Sequence, residues 1–124
     1  MATILLNGVA FDTSAPTELN DKLTVSGGTD ALDVNLLGGD DLIEVATQGE
    51  NITSSKMDGG SGDDVITIEL NGDDDDFTAT STISADSTIR GATGDDTITI
   101  NDVNVIVEGL VNANDGDDTI SVVR

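Results

Sequence analysis

Apolar residues recur along this chain in short alternating runs and never in long blocks. The clearest runs are Ile43/Val45, Ile66/Ile68, Ile98/Ile100 and Ile120/Val122, each pair straddling one polar residue (Glu44, Thr67, Thr99, Ser121). Period-two alternation carried by β-branched side chains predicts a short strand with one buried face. Between the runs lie clusters of Gly, Asp and Asn, which predict turns because these residues tolerate positive φ or bond back to their own backbone. The Gly, Asp and Thr content and the period both disfavour helix.

The runs belong to a repeat. Four segments align without gaps, Val34–Val45, Met57–Ile68, Ile89–Ile100 and Val111–Val122, and in each a Gly-Asp-Asp triplet (in the first, Gly39-Asp40-Asp41) precedes the alternating run. The outer apolar positions Val34, Val45, Met57, Ile68, Ala79, Ile89, Ile100, Val111 and Val122 form a ladder with a mean spacing of 11 residues. A weaker unit precedes it at Gly27–Val34, and two more lie around Asn71–Ala79 (Asp73 to Asp76, then Phe77) and Ser84–Ile89 (with Asp86). Units too short to bury a face alone must stack, so the expected fold is all-β: a parallel β-solenoid, or β-roll, of short strands with Gly-Asp turns. Either one 11-residue unit or a pair of them, 22 residues, makes a coil. The longer coil is preferred because two turns leave little interior in the shorter one. It makes Asp41 a same-edge neighbour of Asp64, and Asp96 of Asp118; the shorter coil pairs Asp30 with Asp41, and Asp64 with the Asp73–Asp76 run.

Residues 1–20 break the ladder and carry the only Pro, Pro16. They are expected to form an N-terminal cap or docking segment on a solenoid of residues 21–124, because an open solenoid end is an adhesive sheet edge. The other end, directly after the last strand, is a candidate interface. The N-terminus lacks the basic flank and the longer apolar run of a cleaved signal peptide, and no run of ~18 apolar residues predicts a membrane span.

Composition removes several functions. Of 124 residues 25 are acidic, 20 of them Asp, against 4 basic ones, for a net charge of -21; there is no His, Cys, Trp or Tyr. A nucleic-acid partner needs a basic stripe and stacking aromatics, and an anionic membrane surface repels such a chain. Zinc, haem, thiolate chemistry and a Ser-His-Asp triad need residues the chain lacks. An enzyme built on paired carboxylates is disfavoured because the Asp residues recur in repeats, whereas a catalytic pair is singular. No enzymatic activity is therefore expected.

The remaining chemistry lies in the turns. Gly59–Thr67 matches the nonapeptide G-G-x-G-x-D-x-U-x in full; Gly91–Thr99 lacks only the second Gly, and Leu36–Glu44 and Ala113–Ser121 keep the fourth-position Gly, the sixth-position Asp and the Ile. Over roughly residues 27–124 the sequence resembles the RTX, or hemolysin-type, calcium-binding repeat family, with an 11-residue unit in place of nine. The resemblance implies a β-roll in which Gly carbonyls and the sixth-position Asp share Ca²⁺ with the next turn. The implied carboxylate ligands are Asp41, Asp64, Asp96 and Asp118, with Asp30 as a further one. Carbonyl donors would be Gly59, Ser61, Gly91, Thr93, Ala113 and Asp115, and the preceding Asp40, Asp63, Asp95 and Asp117 would stand in an outer shell. The physical logic is independent of the family: stacked turns bring like charges to strand spacing, which is unfavourable without a cation, and a hard cation takes oxygen ligands.

The expected function is a calcium-stabilised, surface-exposed structural or assembly protein that self-associates or joins other structural subunits. Its setting would be a virion decoration or fibre, or an extracellular filament, surface layer or matrix. The alternative is an RTX-type secretion and folding module of an exported protein. A minor alternative, an ice-binding or adhesin solenoid, rests on the outward Thr67, Thr97, Thr99, Thr119 and Ser121, interrupted by Leu42, Glu44 and Val65; Thr is also simply a good strand former.

Overall fold

The structure is a computed structural model that describes residues 3–10, 16–27, 29–46, 51–70, 81–101 and 105–123. A short N-terminal hairpin, β1 (Thr3–Leu6) and β2 (Val9–Ala10), precedes the stack. The first coil is then β3 (Lys22–Ser26), β4 (Thr29–Asp30) and β5 (Asp33–Asn35). The second is β6 (Leu42–Ala46), β7 (Ile52–Thr53) and β8 (Lys56–Ser61). The third is β9 (Val65–Glu69), β10 (Ser81–Ile83) and β11 (Thr88–Thr93). The fourth is β12 (Thr97–Asn101), β13 (Val105–Val107) and β14 (Leu110–Asp115), and β15 (Thr119–Val123) opens the next.

Equivalent strands of successive coils pair in parallel, making three sheets around one core: β3-β6-β9-β12-β15, β4-β7-β10-β13 and β5-β8-β11-β14. The fold is the expected all-β solenoid, of about four turns. A coil is three-sided, however, with a short third sheet where the sequence pattern suggested two half-turns. The eleven-residue ladder alternates between two of the sides: Val45, Ile68 and Ile100 lie on the first sheet, and Val34, Met57 and Ile89 on the sheet of β5, β8, β11 and β14. Ala79 and the Asp73–Asp76 run lie outside the described residues.

The register shows where coil length is free. Lys22, Leu42, Val65, Thr97 and Thr119 are equivalent, so the coils are 20, 23, 32 and 22 residues long. Yet Asp33, Lys56, Thr88 and Leu110 are also equivalent, and each stands 8 residues before the Asp that ends its coil. The turn motif is thus held constant, and the variation falls between the first and third sheets.

The core is aliphatic. Leu23, Val25, Ile43, Val45, Ile66, Ile68, Ile98 and Ile100 from one sheet meet Val34, Met57 and Ile89 from another and Ile52 and Ile83 from the third, all buried. Each fully buried Ile or Leu stabilises the stack by about 1.5–3 kcal/mol relative to an exposed one. At the N-terminal end β1 pairs antiparallel with β3, bringing Leu6 opposite Leu23, and Leu6 and Ile4 pack on the core. The hairpin thus lies against the first coil.

Candidate functional site: the acidic corner

Each Gly-Asp-Asp triplet turns the chain from the sheet of β5, β8, β11 and β14 back to that of β3, β6, β9, β12 and β15. In extended backbone, successive N–H groups point in opposite directions. At this corner, one of the two Asp N–H groups points toward the preceding coil and the other toward the following one, where no strand carbonyl meets them. The Asp side chains do.

The second Asp of each triplet forms an inner row. The N–H of Asp21 donates to Asp41 Oδ1 at 2.6 Å, Asp41 to Asp64 Oδ1 at 2.8 Å, and Asp64 to Asp96 and Asp96 to Asp118 at 2.9 Å each. The first Asp forms an outer row with the opposite polarity. Asp40 N–H donates to Asn20 Oδ1 at 2.9 Å, Asp63 to Asp40 at 3.0 Å, and Asp95 to Asp63 and Asp117 to Asp95 at 2.9 Å each. Two consecutive carboxylates thus satisfy two oppositely directed backbone donors, which accounts for the doubled Asp.

The rows differ in solvent contact. Asp41, Asp64 and Asp96 are buried, while Asp40, Asp63, Asp95 and Asp117 are exposed. The second oxygens of Asp41, Asp64 and Asp96 have no hydrogen-bond partner. They turn into the coil: a Cβ on Gly59 would lie 2.3 Å from Asp64 Oδ2, and one on Gly91 2.2 Å from Asp96 Oδ2. These glycines make room for the inward carboxylates. Burial pushes the Asp41 carboxyl up to about 6 and that of Asp64 to about 7, against backbone hydrogen bonds that lower them; neighbouring Asp charges add to the rise. Asp96 is raised for the same reasons.

The Gly of the triplet is fixed by contact. Gly62, Gly94 and Gly116 have φ of 126, 129 and 137°. A Cβ on each would fall 2.0, 1.9 and 1.7 Å from the carbonyl oxygen of the equivalent Gly in the preceding coil. A second positive-φ column stands two residues before each triplet Gly (Gly39, Gly62, Gly94 and Gly116), at Leu37, Gly60, Ala92 and Asn114. It is less demanding, since three of its four members carry a side chain.

The expected ligands can now be placed. Asp41 with Asp64 and Asp96 with Asp118 are neighbours, as the longer coil implies. Asp64 and Asp96 are neighbours too, because the third coil is 32 residues long and keeps the row continuous. Asp30 does not belong to it: it lies on β4, paired with Thr53, on a different side. Of the expected carbonyl donors, Thr93 O already accepts Gly62 N–H at 2.8 Å and Asp115 O accepts Gly94 N–H at 3.0 Å. Ser61 binds the preceding coil through its own N–H, to Leu37 O at 2.9 Å. Gly59, Gly91 and Ala113 line the interior beside the inner row, with Leu36 at the equivalent place in the preceding coil.

Two features escaped the sequence reading. Asn20 and Asp21 begin the two rows, and Asp21-Lys22-Leu23-Thr24-Val25 carries the later Asp-x-Ile-x-Val/Ile pattern with Leu for Ile. The second is a hydroxyl version of the same device on the next corner. Leu32 N–H donates to Ser55 Oγ at 3.2 Å and Ser55 N–H to Ser87 Oγ at 3.1 Å. Beside it, the Ser54 and Ser84 hydroxyls both donate to Asp86 and hold its carboxyl below the ordinary range.

The outward face of the first sheet is mixed rather than a uniform hydroxyl array. One register column reads Thr24, Glu44, Thr67, Thr99, Ser121 and the next Lys22, Leu42, Val65, Thr97, Thr119. Lys22 and Glu44 approach to 3.6 Å across it. Among the described residues no three acidic side chains converge to hold a metal ion; the carboxylates stand one per coil, in file. No family model, curated protein or solved structure matches the chain.

Proposed function

We propose that the chain is a structural element: a rigid, surface-exposed β-solenoid that joins other subunits, with its acidic corner neutralised by divalent cations such as Ca²⁺. The observation that carries the reading is the acidic corner, where carboxylates of successive coils stand in two files along the stack. The N-terminal end is closed by the hairpin. At the other end Val107, Ile120 and Val122 are exposed, although they stand in register with the buried Ile83, Ile98 and Ile100.

The cation part of the reading lies with the outer row. The inner carboxylates face the interior, each with one oxygen committed to a backbone N–H and the other lying against the coil, so they form no cage of six to eight oxygens. Asp40, Asp63, Asp95 and Asp117 are exposed and stacked in file, and ions held along such a file relieve its repulsion without a closed cage. Weak sites of this kind fill at millimolar Ca²⁺, the extracellular level, which favours a setting outside the cell or on a virion.

The test is thermal melting with size-exclusion light scattering, with Ca²⁺ at millimolar level and with EDTA. The melting temperature is expected to rise with Ca²⁺, because a ligand bound only by the folded state stabilises it. Identical melts in both conditions would remove the calcium reading; a single-chain mass under all conditions would remove the assembly reading.

A further inference from the structure

At its turn, the hairpin of β1 and β2 is tied to the first coil through Asn7. The Asn7 N–H donates to Lys22 O at 2.8 Å, and Asn7 Oδ1 accepts the Lys22 N–H at 2.8 Å. Asn7 Nδ2 donates to Asp21 Oδ1 at 2.8 Å. One residue thus serves both backbone polar groups of Lys22 and the buried carboxylate that begins the inner row. An amide suits this place because it offers an acceptor toward the N–H and a donor toward the carboxylate. Thr17 supplies the other donors to Asp21, from its N–H at 2.7 Å and its hydroxyl at 3.1 Å.

Gly8 follows Asn7. φ is 51° at Asn7 and 80° at Gly8, the left-handed pair of a two-residue hairpin turn. The turn is exposed, and a Cβ built on Gly8 would meet nothing within 4 Å. Once the amide leaves the first coil, the Gly8 nitrogen can reach Asn7 Cγ with no side chain in the way, on a backbone free to turn. We propose that Asn7 is a site of spontaneous deamidation, gated by the docking of this turn, and that the reaction loosens the hairpin from the first coil. The Gly8 nitrogen attacks Asn7 Cγ, its proton passes to the departing amide nitrogen, and ammonia leaves as a succinimide ring closes. Water then opens the ring at either carbonyl and leaves aspartate or isoaspartate. Water enters and ammonia departs; no oxidant or reductant takes part.

The gate and the consequence come from the same contacts. While the turn is docked, both polar atoms of the amide are held on the first coil, so Cγ cannot swing onto its own chain. Reaction waits for local opening of the turn, an event that precedes global unfolding. Afterwards a carboxylate oxygen stands where Nδ2 stood, 2.8 Å from Asp21 Oδ1. A charge-assisted hydrogen bond has become a contact between like charges. Isoaspartate also lengthens the backbone of the turn, against the register that sets Leu6 opposite Val9. Both products oppose redocking, so conversion makes a passing opening permanent.

The test follows conversion site by site in the whole chain at mildly alkaline pH. A second Asn-Gly pair, Asn71-Gly72, lies outside the described residues, and trypsin separates the two: Asn7 falls in the peptide ending at Lys22 and Asn71 in the one ending at Arg90. Mass spectrometry reads the amide-to-acid mass gain, and fragmentation of the first peptide distinguishes Asn7 from Asn20. Asn7 is expected to convert at least about tenfold more slowly in native buffer than in urea beyond the unfolding transition, because two amide hydrogen bonds must open first. Leu6→Ala removes the buried side chain next to the turn and should raise the native rate several-fold while the circular dichroism stays folded. Asn7→Asp reproduces one product, and hydrogen exchange of residues 5–9 should then run at least about tenfold faster than in the unmodified chain. Equal conversion rates with and without urea would overturn the proposal. So would an Asn7→Asp chain whose turn stays as protected as before.

Discussion

Replacing Gly94 by Ala tests the close stacking of the acidic corner. The added Cβ would sit 1.9 Å from the carbonyl oxygen of Gly62 and 2.5 Å from its carbon, and both atoms are backbone, so no side chain can swing aside. A φ of 129° also disfavours any side chain. Relief requires the second and third coils to part locally by more than 1 Å, given an ordinary contact of about 3.5 Å. That movement stretches three hydrogen bonds: Gly62 N–H to Thr93 O at 2.8 Å, Asp95 N–H to Asp63 Oδ1 and Asp64 N–H to Asp96 Oδ1, each at 2.9 Å. At about 1 kcal/mol per bond, with about 1–2 kcal/mol for the backbone conformation, the cost is about 4–5 kcal/mol. This is a large share of the ~5–15 kcal/mol that holds a domain folded. The assay is urea unfolding followed by far-ultraviolet circular dichroism, since the chain has no Trp or Tyr to report by fluorescence. A loss of less than about 1 kcal/mol would refute the account of the glycine column.

Three further outcomes follow from the same corner. Asp64→Ala leaves the Asp41 N–H without its acceptor and should cost about 1–3 kcal/mol in urea unfolding, whereas Asp64→Asn keeps an acceptor oxygen and should cost clearly less; equal losses would count against the capping role. In EDTA the folded chain should lose stability as pH rises from about 4 to 7: Asp41 and Asp64 hold protons more tightly when folded, so the folded state binds more protons across that window. Melting temperatures at pH 4.5 and 7.5 check the sign, and a higher value at pH 7.5 would contradict it. Leu37→Asn replaces an exposed residue at φ 75° with one suited to positive φ and should gain about 0.5–1 kcal/mol in the same unfolding assay.

Legibility in the sequence tracked the physics of each part. The strands after each Gly-Asp-Asp were readable because Ile66/Ile68 and Ile98/Ile100 combine strict alternation with a turn signal at a constant offset. The third sheet was not, because its strands are two or three residues long and reach the core through little more than Ile52 and Ile83, too few to set a period. The acidic corner was located correctly as a stacked feature. What its carboxylates bind was not legible, since an Asp that receives a backbone N–H and an Asp that meets a cation have the same spacing. Asp21 went unseen because Leu19 stands where the later repeats have Gly.

The opposite polarity of the two carboxylate rows has a consequence for length. Every internal coil lends one acceptor to the coil before it and one to the coil after, so each ends in the same unfinished state as the next. Nothing in the corner counts coils. Among the described residues, Asn7 and Thr17 close the inner row at Asp21 from outside the repeat. A duplicated copy of residues 65–96, spliced in register, should therefore lengthen the stack by one strand spacing, about 4.8 Å, and leave both ends as they were: the fold is a ruler whose graduations are identical and whose zero is labelled.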